Sequence, residues 1–266
     1  MGKIFQTAGE NMNSKSDYIA VFDSGVGGIS VLRQLRKVLP EERFLYFGDS
    51  ANAPYGTRPT EQVRELSLAV AERLIPRGIK ALVVACNTAT ATAIDTLRQA
   101  HPELIIVGVE PALKLAADHC PGKNVGVMAT PVTLREEKFN HLAARFESAC
   151  QIIRLPAPGL VELVEAGKAD SPEAEALVKE LLGPWLGNLN ALVLGCIHYP
   201  FAIQTIRRVV GPEVPIYDGS EGTARETRRR LEAAGLLREG TGEVLFENSA
   251  HDPRLIELGK QLLDTE

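Results

Sequence analysis

Two cysteines stand in nearly the same local frame. "ALVVACNTAT" runs from Ala81 to Thr90, and "ALVLGCIHYP" runs from Ala191 to Pro200. Each is an apolar run that ends in a thiol and leads through polar residues into a helical pattern. A cysteine at the end of a buried strand is commonly structural, but these neighbours give both a chemical reading. "NTAT" opens a helix, and a helix N-terminus favours a thiolate at Cys86. Asn87 and Thr88, with the free backbone N–H groups beside them, suit the carboxylate of a small ligand. Cys196 repeats the arrangement, with Pro200 suited to the first turn of the next helix. His198, two residues on, is placed to draw or return the thiol proton. Two thiols on opposite sides of a small substrate act as general base on one face of a carbon acid and general acid on the other. The product is inverted at that carbon, and the chemistry needs no hydrolysis or nucleophilic triad.

A third motif is "FDSGVGG" (22–28), in which Asp23 ends an apolar run and Ser24 leads into three glycines. Such a turn can aim its backbone amides at an anion. A dinucleotide fingerprint is the rival reading, with Gly25-x-Gly27-x-x-Ser30 and Asp49 ending the next strand. Ser30 occupies the place of the third glycine, and Asp23 puts a negative charge where a pyrophosphate would approach. The small-anion turn is favoured.

The elements that must position these residues alternate. "YIAVFD" (18–23), "RFLYFGD" (43–49), "ALVVAC" (81–86), "LIIVGVE" (104–110), "NVGVMA" (124–129), "QIIRLPA" (151–157), "ALVLGC" (191–196) and "VPIYDG" (214–219) read as strands. Helix-period segments follow most of them, and Thr60 reads as an N-cap. Continuous apolar strands alternating with helices predict parallel α/β sheets. A repeat underlies the order. Cys86 and Cys196 are 110 residues apart, Asp23 and Thr130 are 107 apart, and Glu110 and Asp218 are 108 apart. Ligands in such sheets bind beyond the carboxyl ends of the strands. Two similar halves facing each other would therefore bring both cysteines to one cleft.

Composition sets the outer limits. The 266 residues are 45% apolar and 24% charged, ordinary values for a soluble globular chain. A net charge of −5 argues against a nucleic-acid partner, and the arginines at 207–208 and 228–230 have acidic neighbours. No apolar run approaches the roughly 20 residues that span a bilayer, so no membrane is expected. Four cysteines with no CxxC pair read as reduced cytoplasmic thiols rather than a disulfide framework or zinc site. Cys120 and Cys150 neither end an apolar strand nor open a polar helix start, and are expected to be bystanders. Residues 1–12 read as a disordered tail or an added leader, with Met12 as a candidate native start.

Taken in order, "FDSGVGG", "PYG" (54–56) with Arg58, "ACNTAT" and "GCxHYP" resemble glutamate racemase, from about Tyr18 to beyond Asp218. The resemblance implies two pseudo-symmetric α/β domains, each a mainly parallel sheet flanked by helices, with the active site in the cleft between them. It implies a cofactor-independent interconversion of L- and D-glutamate that supplies D-glutamate for peptidoglycan, in a cytoplasmic protein that is commonly a homodimer. Cys86 then works on D-glutamate and Cys196 on L-glutamate, assisted by Asp23 and His198. A further acid falls on Glu165 in "LVELVEAG" (160–167), rather than on Glu162. Substrate contacts fall on Asp23, Ser24, Tyr55, Gly56, Asn87, Thr88, Ile197 and His198. The family usually has threonine where this chain has Ile197. A lost hydroxyl contact costs on the order of 1 kcal/mol, and the backbone at 197 can still serve. Ile197 favours the alternative of another acidic substrate, such as aspartate; the alternative of another class is a nucleotide-binding protein. The offset and the resemblance together predict discontinuous domains, 13–110 with 221–266 and 111–220, because "TARETRRRLEAAGLL" is an amphipathic helix beyond the last strand.

Overall fold

The computed structural model describes Ser14 and residues 17–264, so the expected tail over residues 1–12 lies outside the described residues. All eight expected strands form: β1 (Tyr18–Asp23), β2 (Arg43–Gly48), β3 (Ile79–Val84), β4 (Ile105–Gly108), β5 (Asn124–Ala129), β6 (Gln151–Pro156), β7 (Ala191–Leu194) and β8 (Ile216–Asp218). A ninth, β9 (Glu243–Asn248), was not anticipated. Its sequence "EVLFEN" is a three-residue apolar run between polar ends, and its residues are mostly half-buried or exposed, as befits an edge strand rather than a buried central one.

The strands form two sheets in which every neighbouring pair is parallel. The first has the order β4-β3-β1-β2-β9 and the second the order β6-β5-β7-β8. With β1 matched to β5, the order β4-β3-β1-β2 is repeated as β8-β7-β5-β6. The sequence offset is therefore a topological repeat. Asp23 ends β1 and Thr130 follows β5; Cys86 lies two residues past β3 and Cys196 two residues past β7.

Strand alternation decides what covers each face of the first sheet. Ala20, Phe22, Leu45 and Phe47 join one apolar cluster with residues of the helices Thr60–Leu74 and Asn87–Ala100. Ile19, Val21, Phe44 and Tyr46 join another, with residues of the helices Ile29–Val38, Ser220–Ala233 and Pro253–Asp264. Each fully buried side chain of this size contributes about 1.5–3 kcal/mol. The chain thus leaves the first half after β4, builds the second sheet, and returns to finish the covering of the first. Among the described residues, no helix is long and apolar enough to cross a membrane. Thr60 does not cap its helix. Pro59 holds the cap position, and the Thr60 hydroxyl instead donates to Glu136 Oε1, 2.5 Å away in the second half.

Candidate active site

Asp23 is buried at the end of β1, and its own glycine turn wraps its carboxylate. The Gly25 and Gly28 amides donate to Oδ2 at 3.0 and 3.1 Å. Two of the turn's N–H groups, those of Gly25 and Gly28, are thus directed at Asp23 itself. Oδ1 is buried without a protein partner. Beneath the turn the Tyr46 hydroxyl donates to the Gly25 carbonyl at 2.9 Å. Burial, followed by the charges of Asp23, Glu165 and Cys86, keeps that phenol well above its usual range and so a neutral donor. The glycines also admit the other half of the molecule. A Cβ on Gly25 would stand 1.9 Å from Glu165 Oε1, and one on Gly27 2.4 Å from His198 Nδ1.

Cys86 is the N-cap of the helix Asn87–Ala100, and its sulfur accepts from the Ala89 amide at 3.5 Å. The thiol lies 3.7 Å from the Ser24 hydroxyl. The helix terminus and these two contacts favour the thiolate, but they do not prevail. Burial pushes the thiol up first, the Asp23 charge adds to it, and Cys196 contributes in the same sense. These effects favour the protonated thiol at Cys86.

Cys196 does not repeat that geometry. It caps no helix; a single 3₁₀ turn, Tyr199–Ala202 with Pro200 in its first turn, separates it from the helix Ile203–Val210. Its partner is a side chain, His198, whose Nδ1 is 3.9 Å from the sulfur. His198 Nε2 lies 2.9 Å from Glu165 Oε1, at the end of the helix Leu160–Glu165. Burial alone would discharge this imidazole. The hydrogen bonds to Cys196 and Glu165, with the Asp23 charge, outweigh burial and hold it well above the ordinary histidine range. The two cysteines have chemically unequal neighbours: Cys86 sits by the Asp23 carboxylate, and Cys196 by an imidazole held well above its ordinary range.

The remaining expected residues fall around this pair. Ser24 follows Asp23, and Asn87 is the first residue of the helix capped by Cys86, with its buried Oδ1 unpartnered. Gly56 packs against the second half, since a Cβ there would meet Thr130 Cγ2 at 2.7 Å. The Tyr55 hydroxyl is committed to Asp49 Oδ2 at 2.5 Å, and Asn52 also donates to that carboxylate. The Asp49 carboxylate that a dinucleotide would need is therefore already engaged. Ile197 turns its side chain into the apolar cluster of the first half. Cys120 and Cys150 are buried in the core of the second half, with Cys120 Sγ 3.4 Å from the Asn190 carbonyl.

Two residues at the seam went unread as site residues. Thr130 and Thr133 form a hydroxyl cluster with Thr88, with Thr88–Thr130 at 3.0 Å, Thr130–Thr133 at 2.9 Å and Thr88–Thr133 at 3.3 Å. The signal was present, because Thr130 holds in the second half the strand-end place that Asp23 holds in the first.

Residues 29–227 match the model of the Asp/Glu/Hydantoin racemase family. The chain belongs to the Asp/Glu/Hydantoin racemase family. A glutamate racemase of Bifidobacterium animalis subsp. lactis is 48% identical over 255 residues, covering 92% of this chain and 97% of that protein. Among solved structures, glutamate racemase from Thermus thermophilus in complex with beta-chloro-D-alanine superposes with a TM-score of 0.80 at 38% identity, covering 95% of this chain and 94% of that one. Glutamate racemase from Francisella tularensis in complex with D-glutamate gives 0.83 at 27% identity, covering 95% of each chain. Within the racemase family, the chain therefore groups with glutamate racemases.

Proposed function

We propose that this chain is a glutamate racemase that moves the α-proton with Cys196 on one face of the substrate and Cys86 on the other. The carrying observation is the pair of unequal thiol environments contributed by opposite halves: Cys86 with Asp23, and Cys196 with His198 and Glu165. In the L-to-D direction, Cys196 as thiolate takes the α-proton, its negative charge supported by the His198 imidazolium. Cys86, held as a thiol by burial and Asp23, delivers a proton to the opposite face. The roles exchange in the D-to-L direction, and Asp23 then assists Cys86 as His198 assists Cys196. The unpartnered Oδ atoms of Asp23 and Asn87 are acceptors suited to the substrate ammonium. Ser24, Gly56, Thr88 and the threonines beside it supply donors for its carboxylates, and Tyr55 shapes the wall. The same reading makes the protein a cytoplasmic homodimer that supplies D-glutamate for peptidoglycan, with domains at 13–110 plus 221–266 and at 111–220.

Incubation of each enantiomer of glutamate in deuterated water tests the proposal. Both should exchange the α-proton and lose optical rotation, and Cys86→Ala and Cys196→Ala should each abolish racemisation. Absence of exchange with the unaltered protein would overturn the assignment.

A further inference from the structure

Ile197 stands between the thiol Cys196 and its partner His198, yet its side chain belongs to the other half of the molecule. It is 4% exposed and packs in the apolar cluster that contains Val26, Ile29 and Ala85 of the first half. Its Cδ1 methyl would lie 2.5 Å from a Cβ on Gly27, against the same glycine that the His198 ring abuts. Its carbonyl is engaged too. Ser30, in the first turn of the helix Ile29–Val38, holds its hydroxyl 3.1 Å from the Ile197 oxygen and 3.0 Å from the Gly27 oxygen. One peptide of the Cys196 loop is therefore docked on the Asp23 turn by both its side chain and its backbone.

We infer that Ile197 is a positioning residue: an apolar latch that sets the Cys196–His198 loop against the first half and so fixes the two thiols relative to each other. This rests on the two-thiol reading. Its side chain makes no polar contact and reaches away from its own half's core, where Cys196 and Tyr199 are buried. What it controls is registration across the cleft. That matters for racemisation, which needs both thiols aligned on one α-carbon, and matters less for a reaction needing one base. Near-attack geometry tolerates little misplacement, and about 1 Å can cost on the order of a hundredfold.

β-Chloro-D-alanine separates the two cases. A single base on the Cys86 side breaks the Cα–H bond, its electron pair forms the Cα=Cβ bond, and chloride leaves from Cβ. The resulting enamine hydrolyses to pyruvate and ammonia. In Ile197→Ala, kcat for glutamate racemisation should fall on the order of tenfold or more, with a smaller change in KM. Chloride release from the D enantiomer should fall far less, and Ile197→Val should regain most of the lost racemisation. Circular dichroism and a thermal melt establish that each variant is folded; if Ile197→Ala is not, Ser30→Ala, which removes the hydroxyl that holds the Ile197 carbonyl, is read in its place. Equal losses in racemisation and elimination, or unchanged racemisation, would overturn the latch. Lack of racemisation by the unaltered protein would instead overturn the functional reading on which it rests.

Discussion

At the residue scale, the site depends on what is missing as much as on what is present. Gly25 and Gly27 lack the atoms that would keep Glu165 and His198 away from the Asp23 turn. Gly27→Ala should be the more damaging change, because the added methyl meets a buried imidazole ring and the Ile197 side chain together. Gly25→Ala meets only the end of the Glu165 side chain, which can swing away at the expense of its contact with His198. Racemisation should therefore fall more for Gly27→Ala than for Gly25→Ala when kcat/KM is measured, and the reverse order would contradict the packing described. The unequal thiols predict a pH effect that racemisation itself hides. The equilibrium constant between enantiomers is unity, so kcat/KM in the two directions must coincide at every pH. Irreversible elimination of chloride has no such constraint. Elimination from the D enantiomer uses Cys86 as a thiolate, and burial and Asp23 push that thiol up. Its rate should keep rising with pH past the ordinary thiol value of about 8.5. Asp23→Asn removes a charge that disfavours the thiolate, so it should move this rise to lower pH, whatever it does to the maximum rate. Elimination from the L enantiomer relies on the His198 imidazolium and should decline as pH climbs through that group's raised value. Coincident pH profiles for the two enantiomers would show that the environments are not distinct in solution.

At the element scale, one buried ion pair ties the returning chain to the first sheet. Lys80 on β3 and Glu42 just before β2 are both buried, with Lys80 Nζ 2.6 Å from Glu42 Oε2. Lys80 also donates to the Leu236 carbonyl at 2.9 Å, and Glu42 Oε1 accepts from the Arg238 amide at 3.0 Å. Burial lowers the lysine's affinity for its proton, and Glu42 opposes that fall. The pair thus pins the segment after the helix Ser220–Ala233 beneath the strands, at the end of the sheet opposite the cysteines. Lys80→Met leaves a buried carboxylate unpaired and should destabilise the fold by about 3–5 kcal/mol. Adding Glu42→Leu should recover much of that loss, because the second change removes the stranded charge. Urea unfolding at constant m-value checks both, and additive losses in the double variant would contradict the pairing.

At the scale of the whole molecule, the first half is built from two distant stretches of chain. β9 pairs with β2 along its full length, from Arg43–Glu243 to Gly48–Asn248. Leu255, Leu258 and Leu262 of the last helix pack on the same cluster as the helix Ile29–Val38. Deleting residues 241–266 should expose the β2 edge and uncover that cluster. In hydrogen exchange the amides of β1 to β4 should lose protection, while β5 to β8 retain theirs. Uniform loss across both sheets would mean that the halves fold as one unit.

The first eight strands, their parallel pairing and the repeat were legible in the sequence. Apolar runs and their spacing are local properties, and a duplicated topology writes itself as a fixed offset. Residue types sufficed to single out Cys86, Cys196, Asp23 and His198. What needed the tertiary structure was everything that depends on the far side of the cleft. The glycine turn was legible, but that its Gly25 and Gly28 amides donate back to Asp23 was not, because no pattern says where a carboxylate points. Thr60 reads as a cap in isolation and becomes a bridge to Glu136 only when the second half is present. Cys86 and Cys196 look alike along the chain, yet one caps a helix and the other leans on His198, since the backbone after each turns differently. β9 was missed because its apolar run is only three residues long between polar ends, and it acquires meaning only beside β2. Ile197 reads as a lost hydroxyl in sequence; its place in the core of the other half is decided by how the two sheets meet, which no local window contains.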